Sequence, residues 1–197
     1  MRQAGEESIF APTPPLEAFR SILTIATTDF EGQPKHVRDS DSEQRTQISA
    51  VDISRAYFIA ATDDDKPTYV MLPPEDPDHQ DKCGLLKKHM YGTRAAADGW
   101  QQEYSSFLRG IGFTQGVACP CLFVNSCRQL AVSVHGDDFT TTGPKCELDW
   151  FEKLLEEKYE LKKGGRLGPG REDTKELTVL NRVLRWVDGG VEYEADL

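Results

Sequence analysis

No apolar run in the sequence approaches the ~18–20 residues that a membrane span needs, and the mean hydropathy is -0.53. The first seven residues, Met1–Glu7, include no apolar segment of the kind found in a signal peptide. We therefore expect an intracellular protein, cytoplasmic or nuclear, with no membrane partner. At 197 residues the chain is long enough to bury a core, for which its nine Phe, six Tyr and three Trp supply bulky side chains.

The cysteine pattern of a structural zinc site is also missing. Cys119 and Cys121 form a C-x-C pair, with Cys127 and His135 further along the chain. Structural zinc usually requires two pairs at C-x(2–4)-C spacing, and the sequence has no second pair. The total of five is odd and no secretion signal is present, so we expect reduced thiols in or beside a buried strand.

Positive charge is scarce. Lys and Arg together number 23 against 33 Asp and Glu, which gives a net charge of -10 and an isoelectric point near 4.9. Proteins that grip phosphate backbones normally carry a basic face. The charge balance therefore predicts weak nucleic-acid binding by this chain.

Hydrophobic periodicity predicts an α+β fold. Leu16–Thr27 has the spacing of an amphipathic helix opened by proline, and residues 31–48 form a polar loop. We predict one region at 1–48 and a folded domain at 49–197. The domain's predicted elements are a strand at 48–59, a short strand at 69–72, a helix at 94–109, strands at 121–124, 130–135 and 139–142, a helix at 147–158, and terminal strands at 178–187 and 191–193. The main elements follow the β-α-β-β-α-β order of a ferredoxin-like sheet.

Three acidic residues fall at informative places in this order. Asp52 lies within the first strand, and Asp137 and Asp138 form the tip of a later hairpin. The first and third strands of a ferredoxin-like sheet are neighbours, so Asp52 and Asp137 could face each other. Converging carboxylates need a counter-charge, and a pair of Mg²⁺ ions about 4 Å apart would supply it. Taken alone, an Asp-Asp pair at a hairpin is usually only turn chemistry.

Five segments carry a family resemblance. Asp52–Phe58 resembles the first polymerase motif of reverse transcriptases, and Leu86–Trp100 resembles the L-K-K-x-(L/M)-Y-G-L-K-Q-A-P-R-x-W signature of the copia group. Phe107–Phe123 resembles the continuation of that signature. His135–Asp138 stands where the family has Tyr-Val-Asp-Asp, and Tyr159–Lys163 resembles the segment after the next helix. From about residue 10 to about residue 185, the chain is similar to Ty1/copia-type retrotransposon reverse transcriptases.

The resemblance implies the core of an RNA-directed DNA polymerase that acts on an RNA or DNA template-primer and deoxynucleoside triphosphates. It implies a polymerase palm at 49–197 with an incomplete C-terminal end, preceded by a remnant of the fingers at 1–48. The implied catalytic and metal-binding residues are Asp52, Asp137 and Asp138, holding two Mg²⁺ ions for which Mn²⁺ can substitute. The implied substrate-binding residues are Tyr57 under the sugar, Tyr91, Gly92 and Arg94 on the nucleotide and template side, and Lys162 as proton donor to pyrophosphate.

The chain departs from the family pattern at several positions. His135 and Gly136 replace a tyrosine and a β-branched residue, while Ala95 and Ala97 replace the Gln and Pro of the middle signature. One alternative is therefore a degenerate or co-opted fragment of an element polyprotein that keeps the palm fold without catalysis. A second alternative is a nucleotide cyclase-like palm, because residues 136–139 resemble the G-G-D/E-D/E-F hairpin of diguanylate cyclases.

Overall fold

The computed structural model describes residues 14–28, 44–62, 65, 67–93, 95–188 and 190–194. They fall into two compact units. The first, called the hairpin unit, lies within Arg55–Phe107, and the second, called the sheet unit, lies within Pro12–Ser54 and Leu108–Leu197. None of the helices in this described part is long and apolar enough to cross a membrane. The division of the chain at residue 48, made from the sequence, stays a prediction.

Among the described residues, three α-helices are combined with mostly antiparallel strands, which confirms the predicted α+β class. In chain order the elements are α1 (Leu16–Thr27), β1 (Thr46–Ile53), a 3-10 turn (Ala56–Phe58), β2 (Tyr69–Met71), β3 (Cys83–Leu85), α2 (Ala96–Gly110), β4 (Thr114–Gln115), β5 (Leu122–Asn125), β6 (Leu130–His135), β7 (Asp138–Pro144), α3 (Lys145–Lys158), β8 (Leu161–Leu167), β9 (Glu176–Val179), β10 (Arg182–Val187) and β11 (Gly190–Tyr193).

The sheet unit is built on a six-stranded sheet with the order β4-β5-β6-β7-β1-β8. Neighbouring strands pair antiparallel, and β1 lies between β7 and β8. Alternate residues of a strand point to opposite faces. Ser49 of β1 faces α3, because its hydroxyl donates to Oε1 of buried Glu152 at 2.7 Å. Ile48, Ala50 and Asp52 of the same strand therefore face the other side of the sheet.

A hydrophobic cluster covers the face of the sheet on which Ile48 lies. Phe19 and Leu23 of α1 pack there together with Ile48, Leu167 of β8 and Leu184 of β10. The helix has the predicted bounds, and Pro15 precedes its first turn at φ -60°. Each large apolar side chain buried in this way contributes about 1.5–3 kcal/mol relative to exposure. Hydrophobic packing in this cluster thus joins α1 and the β9–β11 sheet to the six-stranded sheet.

A buried ionic network supports β1 from the Gly-rich segment after β8. Nε and Nη2 of Arg45 donate to the two carboxylate oxygens of Asp173 at 2.9 and 2.8 Å. Nε2 of Gln47 and the amide of Gly170 also donate to this carboxylate, at 2.6 and 2.8 Å. A Cβ at Gly168 would lie 2.5 Å from Asp173 Oδ2, so the close approach requires glycine there.

The first predicted strand, 48–59, is too long. In the structure β1 ends at Ile53, Arg55 takes the left-handed conformation at φ 56°, and Ala56–Phe58 forms a 3-10 turn. The apolar residues of this stretch favour a strand by composition, but the left-handed residue ends the ladder. The strand also begins at Thr46, inside the loop predicted at 31–48, because Thr46 and Gln47 pair with Pro144 and Gly143 of β7.

The predicted terminal strand at 178–187 is two strands. β9 and β10 pair with Val179 opposite Arg182, so Leu180 and Asn181 form a two-residue turn, with φ 51° and 60°. Positive φ at both central positions is the geometry of a type I′ turn. The usual sequence signal is Asn-Gly or Asp-Gly, and leucine at positive φ is rare. The Leu-Asn pair therefore does not indicate this turn in the sequence.

Two aromatic residues of α2 are buried in the part of the helix that belongs to the hairpin unit. Trp100 and Tyr104 are buried with ring centroids 5.5 Å apart. His89 is buried beside them, and a Cβ at Gly99 would lie 2.4 Å from its ring. Strands β2 and β3 form a separate two-stranded sheet in the same unit. Glycine at 99 is thus what lets the His89 ring lie against α2.

Candidate functional site

Strand pairing brings the three predicted carboxylates together at one end of the sheet. Asp52, near the end of β1, lies directly opposite Asp138, the first residue of β7. The amide of Ile53 donates to the carbonyl of Asp137 at 2.9 Å, which holds the hairpin tip against β1. Gly136, at φ 64°, opens the two-residue turn between β6 and β7. A side chain at position 136 would be strained, so glycine fits this turn.

The electrostatics of Asp138 reflect this crowding. Burial raises the pKa of its carboxyl above the ordinary value, and the charges of Asp137 and Asp52 raise it further, while His135 acts in the opposite direction. Like charges that raise a carboxyl pKa lie close enough to repel one another. The three acids therefore form one negatively charged cluster.

Lys162 supplies positive charge at the edge of this cluster. It lies opposite Asp52 on the neighbouring strand β8, with its Nζ atom 3.3 Å from Asp52 Oδ1. That oxygen is buried and accepts no hydrogen bond, so the contact is an ion pair without hydrogen-bond alignment. Oδ1 of Asp52 is thus a buried acceptor that receives no hydrogen bond.

A cleft of about 250 Å³ opens beside these residues. Asp52, Asp138 and Lys162 line one part of it, and residues 178–180, at the end of β9 and the start of its turn, line another. Ligand pockets usually measure about 300–1,000 Å³, so this cleft is slightly smaller. The turn residues of the cleft were not predicted, because the Leu-Asn turn has no recognisable sequence signal.

The donor chemistry of the cluster fits a hard divalent cation. Carboxylate oxygens are the ligands that Mg²⁺ takes in proteins, and Asp52 offers a buried oxygen without a hydrogen bond. Within the described ranges, however, no three His, Cys, Asp or Glu side chains are gathered closely enough to hold a metal ion. The residue types fit the ion, while the complete ligand arrangement stays a prediction.

Two of the other predicted site residues lie together in the hairpin unit. The rings of Tyr57 and Tyr91 meet edge to face with centroids 4.6 Å apart, and Phe58 adds a second edge contact to Tyr91 at 5.4 Å. Gly92 follows at φ 83°, a conformation that favours glycine. Arg94, predicted to act beside them, lies outside the described residues.

The expectation that the cysteines lie in or beside a buried strand is met only in part. Cys121 precedes β5 and is buried, and burial raises the pKa of its thiol to about 12, with a further contribution from Cys119. A thiol of this kind is protonated at neutral pH and is a poor nucleophile. Cys83 and Cys127, by contrast, are exposed.

Comparison with known protein families identifies the class of protein to which this fold and site belong. The family model described as reverse transcriptase (RNA-dependent DNA polymerase) matches residues 37–169. The match covers about two thirds of the chain and includes Asp52, Asp137, Asp138 and Lys162. The chain belongs to the reverse transcriptase family. This confirms the resemblance to part of a Ty1/copia-type reverse transcriptase domain that was predicted from the sequence motifs.

Proposed function

We propose that the chain is the catalytic core of a copia-like retrotransposon RNA-directed DNA polymerase, a nucleotidyltransferase that uses two divalent ions. One observation carries the proposal: Asp52 and Asp138 lie opposite each other on paired strands, with Asp137 at the adjoining turn. The three acids also lie inside the segment that matches the family. Template-primer and deoxynucleoside triphosphates are the substrates that this family assignment implies.

The sheet order supports a ferredoxin-like palm as part of the proposal. Helix α2 leads from β1 toward β6, and α3 leads from β7 to β8. In space the four strands stand in the order β6-β7-β1-β8. With the short strands omitted, this is a β-α-β-β-α-β chain whose first strand lies between the third and the fourth.

The proposed mechanism assigns a role to each predicted residue. Asp52, Asp137 and Asp138 would hold two Mg²⁺ or Mn²⁺ ions. When bound, such a pair lowers the pKa of an attacking hydroxyl and neutralises charge on a triphosphate. The other proposed roles are those of Tyr57, which lies under the sugar and excludes a 2′-hydroxyl, Tyr91, Gly92 and Arg94, which line the nucleotide and template side, and Lys162, which gives a proton to the leaving pyrophosphate.

A second candidate function is a co-opted or degenerate fragment without catalysis. The observation in its favour is that, over the described part of the chain, the acids do not form a complete ligand group. The cyclase-like alternative has no such support. The family match spans the long segment between Asp52 and Asp137, which a cyclase-like hairpin leaves unexplained.

Primer extension on an RNA template distinguishes an active polymerase from an inactive fragment. The 197-residue chain and a version extended at both ends are compared in Mg²⁺ and in Mn²⁺, with Asp137→Asn as the matched control. The proposal expects metal-dependent extension by the longer version and its loss in the Asn variant. If neither version extends a primer in either metal, the inactive fragment is the better account. If Asp137→Asn extends as well as its parent, the carboxylates are not the catalytic site.

We predict that the 197-residue chain binds a primer–template duplex weakly and with a shallow salt dependence. Each phosphate neutralised contributes about -0.9 to the slope of log K against log salt. Lys162 pairs with Asp52, and Lys163 pairs with Glu152 and Glu156 at 3.4 and 2.6 Å. Five further cations lie in the family segments, namely Arg55, Lys87, Lys88, Arg94 and Arg109. Even if all of them engage phosphates, they limit the slope to about -4 to -5.

Fluorescence anisotropy of a labelled duplex at several salt concentrations measures this slope. Submicromolar binding at physiological salt, or a slope steeper than about -5, would show that a basic surface has been overlooked. A double variant, Lys87→Ala with Lys88→Ala, serves as the internal control and should flatten the slope by about two.

A further inference from the structure

The ion pair between Lys162 and Asp52 occupies the position that the proposed mechanism requires for a cation. The two residues are cross-strand neighbours on β8 and β1, and Nζ lies 3.3 Å from Oδ1. The same oxygen is buried and has no hydrogen-bond donor. The ammonium is therefore positioned to balance the charge of Asp52.

Lys162 is well placed to leave this position. Its side chain is 74% exposed, compared with 37% for Asp52. A lysine ammonium is a compact, hydrated charge on a flexible stem, so exchanging Asp52 for water costs little. The free energy of an exposed ion pair is small, and a divalent ion bound by several carboxylates can exceed it. The contact is thus strong enough to compete with a metal ion and weak enough to be displaced.

We propose that Lys162, besides its proposed role toward pyrophosphate, acts as a built-in counter-ion of the metal-free site and competes with the divalent cation for Asp52. Binding of the cation displaces the ammonium from Oδ1 into the cleft that Lys162 also lines. Lys162 thereby lowers metal affinity while it protects the metal-free sheet from carboxylate repulsion. This inference rests on the proposed metal site and adds to it a residue that sets its affinity.

Lys163 provides a matched control in the next position of the same strand. Its ammonium pairs with Glu152 and Glu156 of α3 rather than with Asp52, although Lys163 also contributes to the lining of the cleft. It carries the same charge and is 48% exposed. A general effect of removing one positive charge from β8 would be the same in Lys163→Met and Lys162→Met. An effect through Asp52 would occur only in Lys162→Met.

Titration with Mn²⁺ tests the inference directly on the 197-residue chain. Free Mn²⁺ is followed by electron paramagnetic resonance at low ionic strength for the parent, Lys162→Met, Lys162→Arg and Lys163→Met. We expect Lys162→Met to bind Mn²⁺ about two- to fivefold more tightly than the parent, the range that an exposed ion pair supports. Lys162→Arg and Lys163→Met should stay within a factor of about two of the parent. The metal-free melting temperature of Lys162→Met should fall, and Mn²⁺ should restore it.

The outcomes distinguish failure of the inference from failure of the site. If the parent binds Mn²⁺ and Lys162→Met binds it equally or more weakly, the competition is refuted and the metal site stands. If Lys163→Met tightens binding as much as Lys162→Met does, the effect is one of net charge and the inference is again refuted. If the parent and Lys162→Met both fail to bind Mn²⁺, or Asp52→Asn binds as the parent does, the proposed metal site fails together with the inference.

Discussion

Replacing Asp173 with alanine is expected to destabilise the sheet unit by about 3–5 kcal/mol, the usual cost of leaving one member of a buried ion pair without its partner. The Asp173 side chain is 3% exposed and that of Arg45 is 8% exposed. Both nitrogens of the Arg45 fork that contact this carboxylate would lose their acceptor. Gln47 and the Gly170 amide would lose theirs at the same time. A loss this large is a substantial fraction of the 5–15 kcal/mol that stabilises an ordinary domain.

Urea unfolding followed by far-UV circular dichroism measures the change for Asp173→Ala. The matched control is Asp149→Ala, because Asp149 also pairs with an arginine, Arg166 at 2.6 Å, but is 52% exposed. Exposed pairs contribute at most about 1 kcal/mol, so the control should lose no more than that. Equal losses in the two variants would mean that burial of the Arg45 pair does not matter.

The same carboxylate makes the stability of the sheet unit depend on pH. Burial alone would raise the pKa of Asp173, but hydrogen bonds from Arg45, the Gly170 amide and Gln47 outweigh it and lower the pKa below the ordinary value of 3.8. Since the folded-state pKa is the lower one, the stabilisation is fully present above the unfolded value and is lost as pH falls through the folded value. Asp173→Asn should therefore show a weaker loss of stability than its parent below about pH 4.

The hydrogen bonds of Asp173 with Arg45, Gln47 and Gly170 could not be predicted from the sequence. Residues 164–170 are rich in glycine and show no strand pattern, although β8 continues to Leu167 within them. The Arg45 and Asp173 side chains are 128 positions apart, and no periodic pattern connects them. Glycine at 168 signals a close approach only after Asp173 is known to lie against it. Long-range polar contacts of this kind depend on the tertiary fold, which local pattern does not encode.

The carboxylate cluster was easier to predict than the Asp173 network, because the predicted strand order and the family motifs pointed to the same residues. Strand order alone places the end of β1 beside the hairpin tip that carries Asp137 and Asp138, and the family motifs point to the same residues. The register differs in one detail, since the direct neighbour of Asp52 is Asp138 rather than Asp137. The two-residue turn uses Gly136 and Asp137, so the next residue starts the ladder. A shift of one residue moves every side chain of a strand to the opposite face, and the register is set by the hydrophobic pattern together with turn geometry.

Asp138→Asn is expected to abolish the gain in stability that a divalent cation gives the parent. A ligand that binds only the native state adds RT ln(1 + [L]/Kd), which is about 2.7 kcal/mol when the cation is present at 100 times its Kd. Asn keeps the shape of the side chain but removes the negative charge that Asp137 and Asp52 repel. The metal-free variant should therefore be more stable than the metal-free parent. Asp137→Asn should behave in the same way, because its charge acts on Asp138.

Thermal melts with and without Mg²⁺ separate these two effects. A purely structural role for Asp138 would make the variant less stable in both conditions, whereas the proposed site requires opposite signs with and without the cation. Asp149→Asn removes an exposed carboxylate of α3 and should leave the response to Mg²⁺ unchanged. If Asp138→Asn and Asp137→Asn keep the full gain from Mg²⁺, the cation binds elsewhere and the cluster is not the metal site. If the metal-free variants melt below the parent, the repulsion among the three acids is too weak to govern the stability of this end of the sheet.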